Sequence, residues 1–423
     1  MPKGGDLHSH LSGAVYAESL IRWAGEDGLC IVVMTRALAP PPCDSMSGRP
    51  AASTIAANAT LFGDVIDAWS LRNWNPARQN GHDQFFESFG KFGLATKHRT
   101  GDMLAEVSAQ AAADNVSYLE LMQTLDGGAS ASLGRQAGFG AGFPAMRFRI
   151  LAAGLRDSLL RARATLDTDE ARRRTLLHCG TATADAGCRV TIRYLYQVLR
   201  GRSREEVFAQ ILAGFELASL DPRVVGFNLV QPEDDPIPMA DFSVHMAMIN
   251  FLRDLYPNVH ITLHAGELVE GLVPPEGLRS HIRKSIEIGH AERIGHGVDV
   301  VYEDDADGLL RMMASRKILV EIALSSNDDI LGVRGNRHPF ATYLRYGVPV
   351  ALVTDDEGVS RSNMIHEYQR AVEEQGADYP ILKMMARNSL VYAFVEPAEK
   401  TRLLREFDTA IARFESRWAG AIH

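Results

Sequence analysis

Apolar residues along this chain fall into short runs separated by longer stretches of helical period. Eight runs read as strands: Asp6–Leu11, Ser117–Gln123, Arg189–Tyr194, Val224–Val230, His260–His264, Arg293–His296, Leu319–Leu324 and Val348–Val353. Between them lie helix-like segments such as Arg204–Ala218, Phe242–Leu255, Ala306–Arg316 and Met364–Glu374, with a further helical stretch, Asp157–Arg174, before the third strand. Strands that alternate with helices predict parallel pairing through crossover helices. Eight such pairs predict an α/β fold, a closed (β/α)8 TIM-type barrel.

One stretch breaks the pattern. Residues 38–80 carry Pro40, Pro41, Pro42 and Pro50, then Ser and Ala, and lead into the aromatic residues Trp69, Trp74, Phe85, Phe86, Phe89 and Phe92. Two readings stay open: a helical surface insertion with a small core of its own, or a lid over a substrate. The expectation is one barrel domain over residues 1–423, with an inserted, partly helical segment after the first strand.

A length of 423 residues suits a barrel enlarged by insertions. The composition, 46% hydrophobic and 23% charged, is that of a soluble globular enzyme. A net charge of −9 argues against an extended nucleic-acid surface. No apolar run approaches the roughly 20 residues of a membrane span. The opening Met-Pro-Lys-Gly-Gly-Asp does not read as a signal peptide. The four cysteines form two local pairs, Cys30 with Cys43 and Cys179 with Cys188. Two loop-closing disulfides suit an oxidising compartment, and four free thiols suit a cytosolic enzyme.

The candidate chemistry sits at the strand ends. His8 and His10 alternate along the first strand, so both side chains share one face and suit a divalent metal. His264 ends the fifth strand, followed by Gly266, which permits a tight turn, and by Glu267, placed to carry a proton. His296 lies between Gly295 and Gly297 after the sixth strand, as a ligand or a base. Asp355 and Asp356 follow the eighth. Two adjacent carboxylates are costly to bury without a cation or hydrogen bonds. His281 and His290 lie in a helix-like stretch and read as structural or exposed. In barrels of this kind the C-terminal ends of the strands carry the chemistry. Three histidines and an aspartate there would hold one zinc with room for a water, whose pKa the metal lowers.

Taken in order, His-x-His, His-Ala-Gly-Glu, Gly-His-Gly and Thr-Asp-Asp resemble the adenosine deaminase family of the amidohydrolase superfamily. The wording of the opening Met-Pro-Lys-Gly-x-x-Leu-His-x-His, and of Gly226-Phe-Asn-Leu-Val230 with Glu233-Asp234, is similar to the extracellular, growth-factor-related deaminases. The resemblance implies one zinc per chain, Zn2+ held by His8, His10, His264 and Asp355. It implies that Glu267 protonates the purine at N1, that His296 positions and deprotonates the water, and that Asp356 holds the nucleophile and the departing amino group. Adenosine or 2′-deoxyadenosine would become the inosine form, with release of ammonia. The alternatives are another 6-aminopurine (adenine or a 5′-modified adenosine), or a binding or signalling module on the same scaffold. Another metal hydrolase would need a bridging lysine, and no lysine lies in the candidate strands. The cytidine-deaminase zinc signature is absent.

The chain departs from the family pattern in three places. Leu11 and Ser12 stand where many members carry an acid that contacts the sugar. Gln231 replaces a glycine whose backbone contacts the purine, and Glu357 replaces a proline after Asp356. Ser12 and Gln231 are therefore the candidate substrate-binding residues. The implied partner is a small-molecule purine nucleoside, with neither nucleic acid nor membrane, and a homodimer is the assembly to test. The resemblance raises the weight of the disulfides. It implies export to the periplasm or cell exterior for a chain whose signal peptide has been removed, with a cytoplasmic location otherwise.

Overall fold

A computed structural model describes residues 1–419 and places the eight expected strands in one parallel sheet. They are β1 Gly4–His10, β2 Val116–Gln123, β3 Thr191–Leu199, β4 Val224–Val230, β5 His260–Ala265, β6 Arg293–His296, β7 Leu319–Ile322 and β8 Val350–Leu352. Each pairs in parallel with the next. The return from β8 to β1 is a parallel bridge between Ser9 and Asp355. There the Asp355 N–H donates to the His8 carbonyl at 2.9 Å and the His10 N–H to the Asp355 carbonyl at 3.3 Å. This closes the (β/α)8 barrel. Every residue of β4 is buried, as expected for a strand covered on both faces.

The crossover helices start where the sequence supplies caps. Arg204–Leu220 opens with a capping box between Ser203 and Glu206. Pro236–Arg253 opens on a proline, whose missing N–H would have had no helical partner. Only β4 and β6 match their expected bounds, and the differences in β3, β7 and β8 have a structural reason. Arg189 belongs to a 3-10 turn, and β3 runs on to Leu199 because Leu195–Leu199 pairs with Gly226–Val230. β7 stops at Ile322 because Leu324 already begins the helix Leu324–Leu331. β8 is shorter than its apolar run because only Val350–Leu352 pairs with β7.

The segment between β1 and β2 is partly helical, as expected, but begins earlier than residue 38. Cys30–Ile31 pairs antiparallel with Leu38–Ala39, and a 3-10 turn at Ala52–Ala57 and the helices Ala59–Ala68 and Gly81–Phe92 follow. It has no separate core. Trp69, Phe85 and Phe92 are buried in the same apolar cluster as the barrel residues Leu7, Ile261 and Ile322. Cys30 is bonded to Cys43 and Cys179 to Cys188, and each bond closes a surface loop. Among the described residues no helix is long and apolar enough to cross a membrane.

Arg293 on β6 is fully buried. Its guanidinium donates to Glu120 on β2 at 2.5 Å, to Glu321 on β7 at 2.6 Å and to the Tyr392 carbonyl at 2.9 Å, and it stacks on Phe394. Two carboxylates and one guanidinium satisfy one another across the barrel, which removes most of the cost of burying them.

Both cysteine pairs are bonded, so unreduced, denatured protein should show no titratable thiol. Reduction should lower stability by about 3 kcal/mol for each of these short loops. A thiol titration of four per chain before reduction would contradict the pairing.

Candidate active site

The sequence places a polar residue at the end of each of four apolar strands, and the barrel brings them together. His8 and His10 project from β1 on one side, with Ser9 between them engaged in barrel closure. His8, His10, His264 and Asp355 each offer one nitrogen or oxygen, and these four atoms all lie within 4.8 Å of one another. His10 Nε2 is 3.3 Å from His264 Nε2 and 3.3 Å from Asp355 Oδ1, and His8 Nε2 is 3.6 Å from the same Oδ1. Gly295 is required beside them: a Cβ there would stand 2.7 Å from the His8 ring.

What lies behind each ring sets its tautomer. His8 Nδ1–H donates to Glu321 Oε2 at 2.8 Å, and His10 Nδ1–H to Gln197 Oε1 at 3.3 Å. His264 Nδ1–H donates to Asn228 Oδ1 at 2.9 Å, and the His264 backbone N–H uses the same oxygen at 2.8 Å. All three rings therefore turn Nε2 inward, the atom that offers a lone pair when the ring is neutral. His8 Nε2 is buried without a hydrogen-bond partner. Three convergent imidazole nitrogens and one carboxylate, each buried or nearly so, fit a zinc-type ion.

The charges agree with that fit. Burial pulls the pKa of His10 down to about 4 and that of His264 well below the usual imidazole range. Burial would lower His8 too, but the neighbouring Asp355 and Glu321 carboxylates raise it to about 10. Burial would raise Asp355, but the imidazoles of His8 and His296 hold it well below the carboxylate range. This carboxylate demands a positive partner, and a divalent ion would meet the same demand.

Glu267, His296 and Asp356 border the cluster. Glu267 Oε1 is 3.5 Å from His296 Nε2 and is otherwise unpartnered. Burial, reinforced by Asp355, pushes the Glu267 carboxyl well above its ordinary range, with Arg200 opposing. Burial and Asp355 do the same to Asp356, whose Oδ1 has no partner. Burial lowers His296 to about 3. Gly266 has φ +73°, and a Cβ there would stand 2.4 Å from Asp299, so the turn that places Glu267 requires glycine. His296 (φ 72°), Asp355 (φ 56°) and Gln231 (φ 85°) adopt the same left-handed backbone without being glycine, a strain typical of functional sites.

His10, His264, Glu267, Asp355 and Asp356 form the floor of a cavity of about 430 Å³. Phe85, Phe86, Phe89, Leu199, Val230 and Ile330 supply its apolar wall, and Ser12 and Gln231 line it too. The three phenylalanines belong to the helix Gly81–Phe92, just beyond the segment 38–80. That helix is tied to the barrel by His82, whose Nε2 lies 3.0 Å from Asp234. Gln231 Oε1 accepts from the Gly201 N–H at 2.9 Å, so its amide leans on the neighbouring loop. A wider depression of about 920 Å³ runs along the outside of Pro397–Ala419, away from every candidate residue.

The adenosine deaminase family model matches residues 157–410. The chain belongs to that family. Over 165 residues, 39% of this chain, it is 38% identical to an adenosine deaminase of Escherichia coli (strain SE11); the match spans 45% of that relative, about half its length. Three solved structures share the fold. An adenine deaminase from Arthrobacter aurescens aligns over 97% of this chain and 100% of its own, with TM-score 0.63 and 18% identity. The N6-methyl-AMP deaminase of Arabidopsis thaliana aligns over 97% of both chains, with TM-score 0.61 and 20% identity. An amidohydrolase from Burkholderia ambifaria, solved with bound Zn, aligns over 98% of this chain and 93% of its own, with TM-score 0.61 and 19% identity.

The family motifs account for the residues facing the cavity, but not for those behind them. Sequence reasoning passed over Glu321, Asn228 and Gln197. Glu321 had a signal: a lone carboxylate inside the apolar run Leu319–Leu324 needs a buried partner. Asn228 had the same signal inside β4. His281 is structural, as expected, and donates from Nδ1 to Glu233 at 2.6 Å; His290 meets Asn250.

Glu321 orients His8 and supplies charge behind it. Glu321→Gln should weaken divalent-metal affinity about 10- to 100-fold. Competition with a chelator measures this, and wild-type affinity in the variant would remove Glu321 from the site.

Proposed function

We propose that this chain hydrolytically deaminates adenosine or 2′-deoxyadenosine at the floor of the barrel cavity, with one zinc ion held by His8, His10, His264 and Asp355. The observation that carries this reading is the convergence of three imidazole nitrogens on Asp355, with the buried Glu267 carboxyl beside them. Bound there, the ion would act as a Lewis acid and acidify a water. Glu267 keeps a proton at neutral pH because its carboxyl is buried, and gives it to the ring nitrogen next to the amino-bearing carbon. That carbon becomes electrophilic. His296 and Asp356 flank the water and share its orientation and deprotonation. The apolar wall of Phe85, Phe86 and Phe89 excludes bulk water and packs against the purine or the sugar.

A second reading keeps the chemistry and changes the substrate. Ser12 offers no charge to a ribose, and beyond Ser12 and Gln197 lies a further cavity of about 290 Å³. That space favours a 5′-modified adenosine over adenine. The two disulfides favour an oxidising compartment, and we place the protein there.

Loss of the adenine ultraviolet band, followed in parallel with adenosine, 2′-deoxyadenosine, adenine and a 5′-thioether adenosine, ranks these substrates. Glu267→Gln should retain metal and lower kcat about 10²- to 10⁴-fold. Wild-type turnover in that variant would end its assignment as the acid. No turnover of any 6-aminopurine by the zinc-loaded protein would end the deaminase reading.

A further inference from the structure

Four imidazoles pack together at the base of the site, and one differs from the rest. Oxygen acceptors stand behind His8, His10 and His264, whereas a donor stands behind His296.

The chain of hydrogen bonds that produces this starts at a group that cannot reverse. The backbone N–H of Phe340 donates to His338 Nδ1 at 3.1 Å. His338 is buried, and burial pulls its pKa down to about 4, so the ring is neutral with its single proton on Nε2. That Nε2–H donates to Asn327 Oδ1 at 3.1 Å. The amide oxygen is thereby committed, and Asn327 Nδ2 donates to His296 Nδ1 at 3.0 Å. A neutral His296 then carries its proton on Nε2, the atom facing Glu267 Oε1 and Asp355 Oδ2 at 3.5 and 4.0 Å. Turning the Asn327 amide over would set its NH2 against His338 Nε2–H. Moving the His338 proton to Nδ1 would set two N–H groups against each other at Phe340. Asn327, His338, Phe340 and His296 are all buried, so an unmatched donor here has no water to fall back on.

We propose that Asn327 and His338 are positioning residues that hold His296 as its Nε2–H tautomer, so that His296 donates a hydrogen bond to the oxygen of the attacking water and does not take its proton. This rests on the deamination reading above and divides the work shared there by His296 and Asp356. As the oxygen bonds to the purine carbon, the water's proton passes to the Asp356 carboxylate, whose Oδ1 is buried and unpartnered. Glu267 supplies the separate proton to the ring nitrogen. The same tautomer removes His296 from any ligand set, although its ring lies with Glu267 and Asp355 in a second convergent cluster.

The test has a spectroscopic and a kinetic arm. In protein labelled with 15N-histidine, two-bond proton–nitrogen correlations report which ring nitrogen is protonated, and the His296 signals are those missing from His296→Asn. The expected pattern at neutral pH is an unprotonated Nδ1 and a protonated Nε2, with and without metal. An Nδ1–H or doubly protonated pattern would overturn the proposal. Asn327→Asp places an acceptor behind the ring and should move the proton to Nδ1. It should lower kcat about 10- to 100-fold with KM within about twofold, the signature of a group that acts through another. An unchanged kcat in that variant would refute the positioning role even with the expected wild-type spectrum. If the variant does not fold, the wild-type spectrum still decides the tautomer. Absence of turnover in wild type would strike the deamination reading, and the spectrum would judge the tautomer alone.

Discussion

Closure of the barrel and assembly of the site depend on the same peptide groups. The last strand meets the first through Asp355, whose N–H and C=O bond to the His8 carbonyl and the His10 amide. Ser9, between the histidines, is the bridge partner. Three of the four proposed ligands are therefore fixed to one another through the main chain, before their side chains make any contact. A barrel sheared by one residue at this seam would turn His8 and His10 away from the interior, because strand side chains alternate. The left-handed backbone at Asp355 bends the chain sharply as it leaves the seam.

Charge ties this seam to the far side of the barrel. Arg293 joins Glu120 to Glu321, and Glu321 holds His8. Burial disfavours every one of these ions alone, but the chain of alternating sign runs from β2 through β6 and β7 to His8 on β1. The negative groups that end it, Asp355 with Glu267 and Asp356, cannot all ionise at such close range. The imidazoles of His8 and His296 hold Asp355 low against burial, and burial, reinforced by Asp355, raises the carboxyls of Glu267 and Asp356. One site thus acquires three carboxyl groups of unequal proton affinity from similar side chains, the separation that acid–base chemistry requires.

Much of this was legible in the sequence, and the reason is local. Each cavity-facing residue ends a short apolar run, so a period-two strand followed by His, Glu or Asp marks both the element and its chemistry. β4 and β6 matched their runs to the residue, and Gly266 needs the positive φ that its place in the motif suggested. The supporting residues carry no such mark. Asn327 lies 31 residues from His296, and His338 a further 11, on the helix and turn that follow β7. No periodicity links them, and only the closed barrel brings them together. The aromatic wall was visible as a cluster of phenylalanines, yet its attachment was not: residues 38–80 do not line the cavity, and the helix after them does. The start of the insertion moved back to Cys30 because its pairing with Leu38–Ala39, and the bond to Cys43, are tertiary facts.

An imidazole at a strand end is chemically undecided until its second nitrogen is paired. Here the ambiguity is resolved four times, in two ways, by groups with little freedom. Asn228 must present its oxygen to His264, since the His264 backbone N–H shares it; Asn327 must present its nitrogen to His296, since a backbone N–H at Phe340 fixes the ring behind it. Both asparagines are the same residue type in the same barrel, and each is oriented by a main-chain amide. The opposite outcomes follow from the number of groups in between, none for His264 and a histidine for His296. A set of identical side chains is in this way divided into inward lone pairs and one inward N–H. That division separates atoms suited to a cation from an atom suited to an oxygen lone pair, without any difference in the residues that face the cavity.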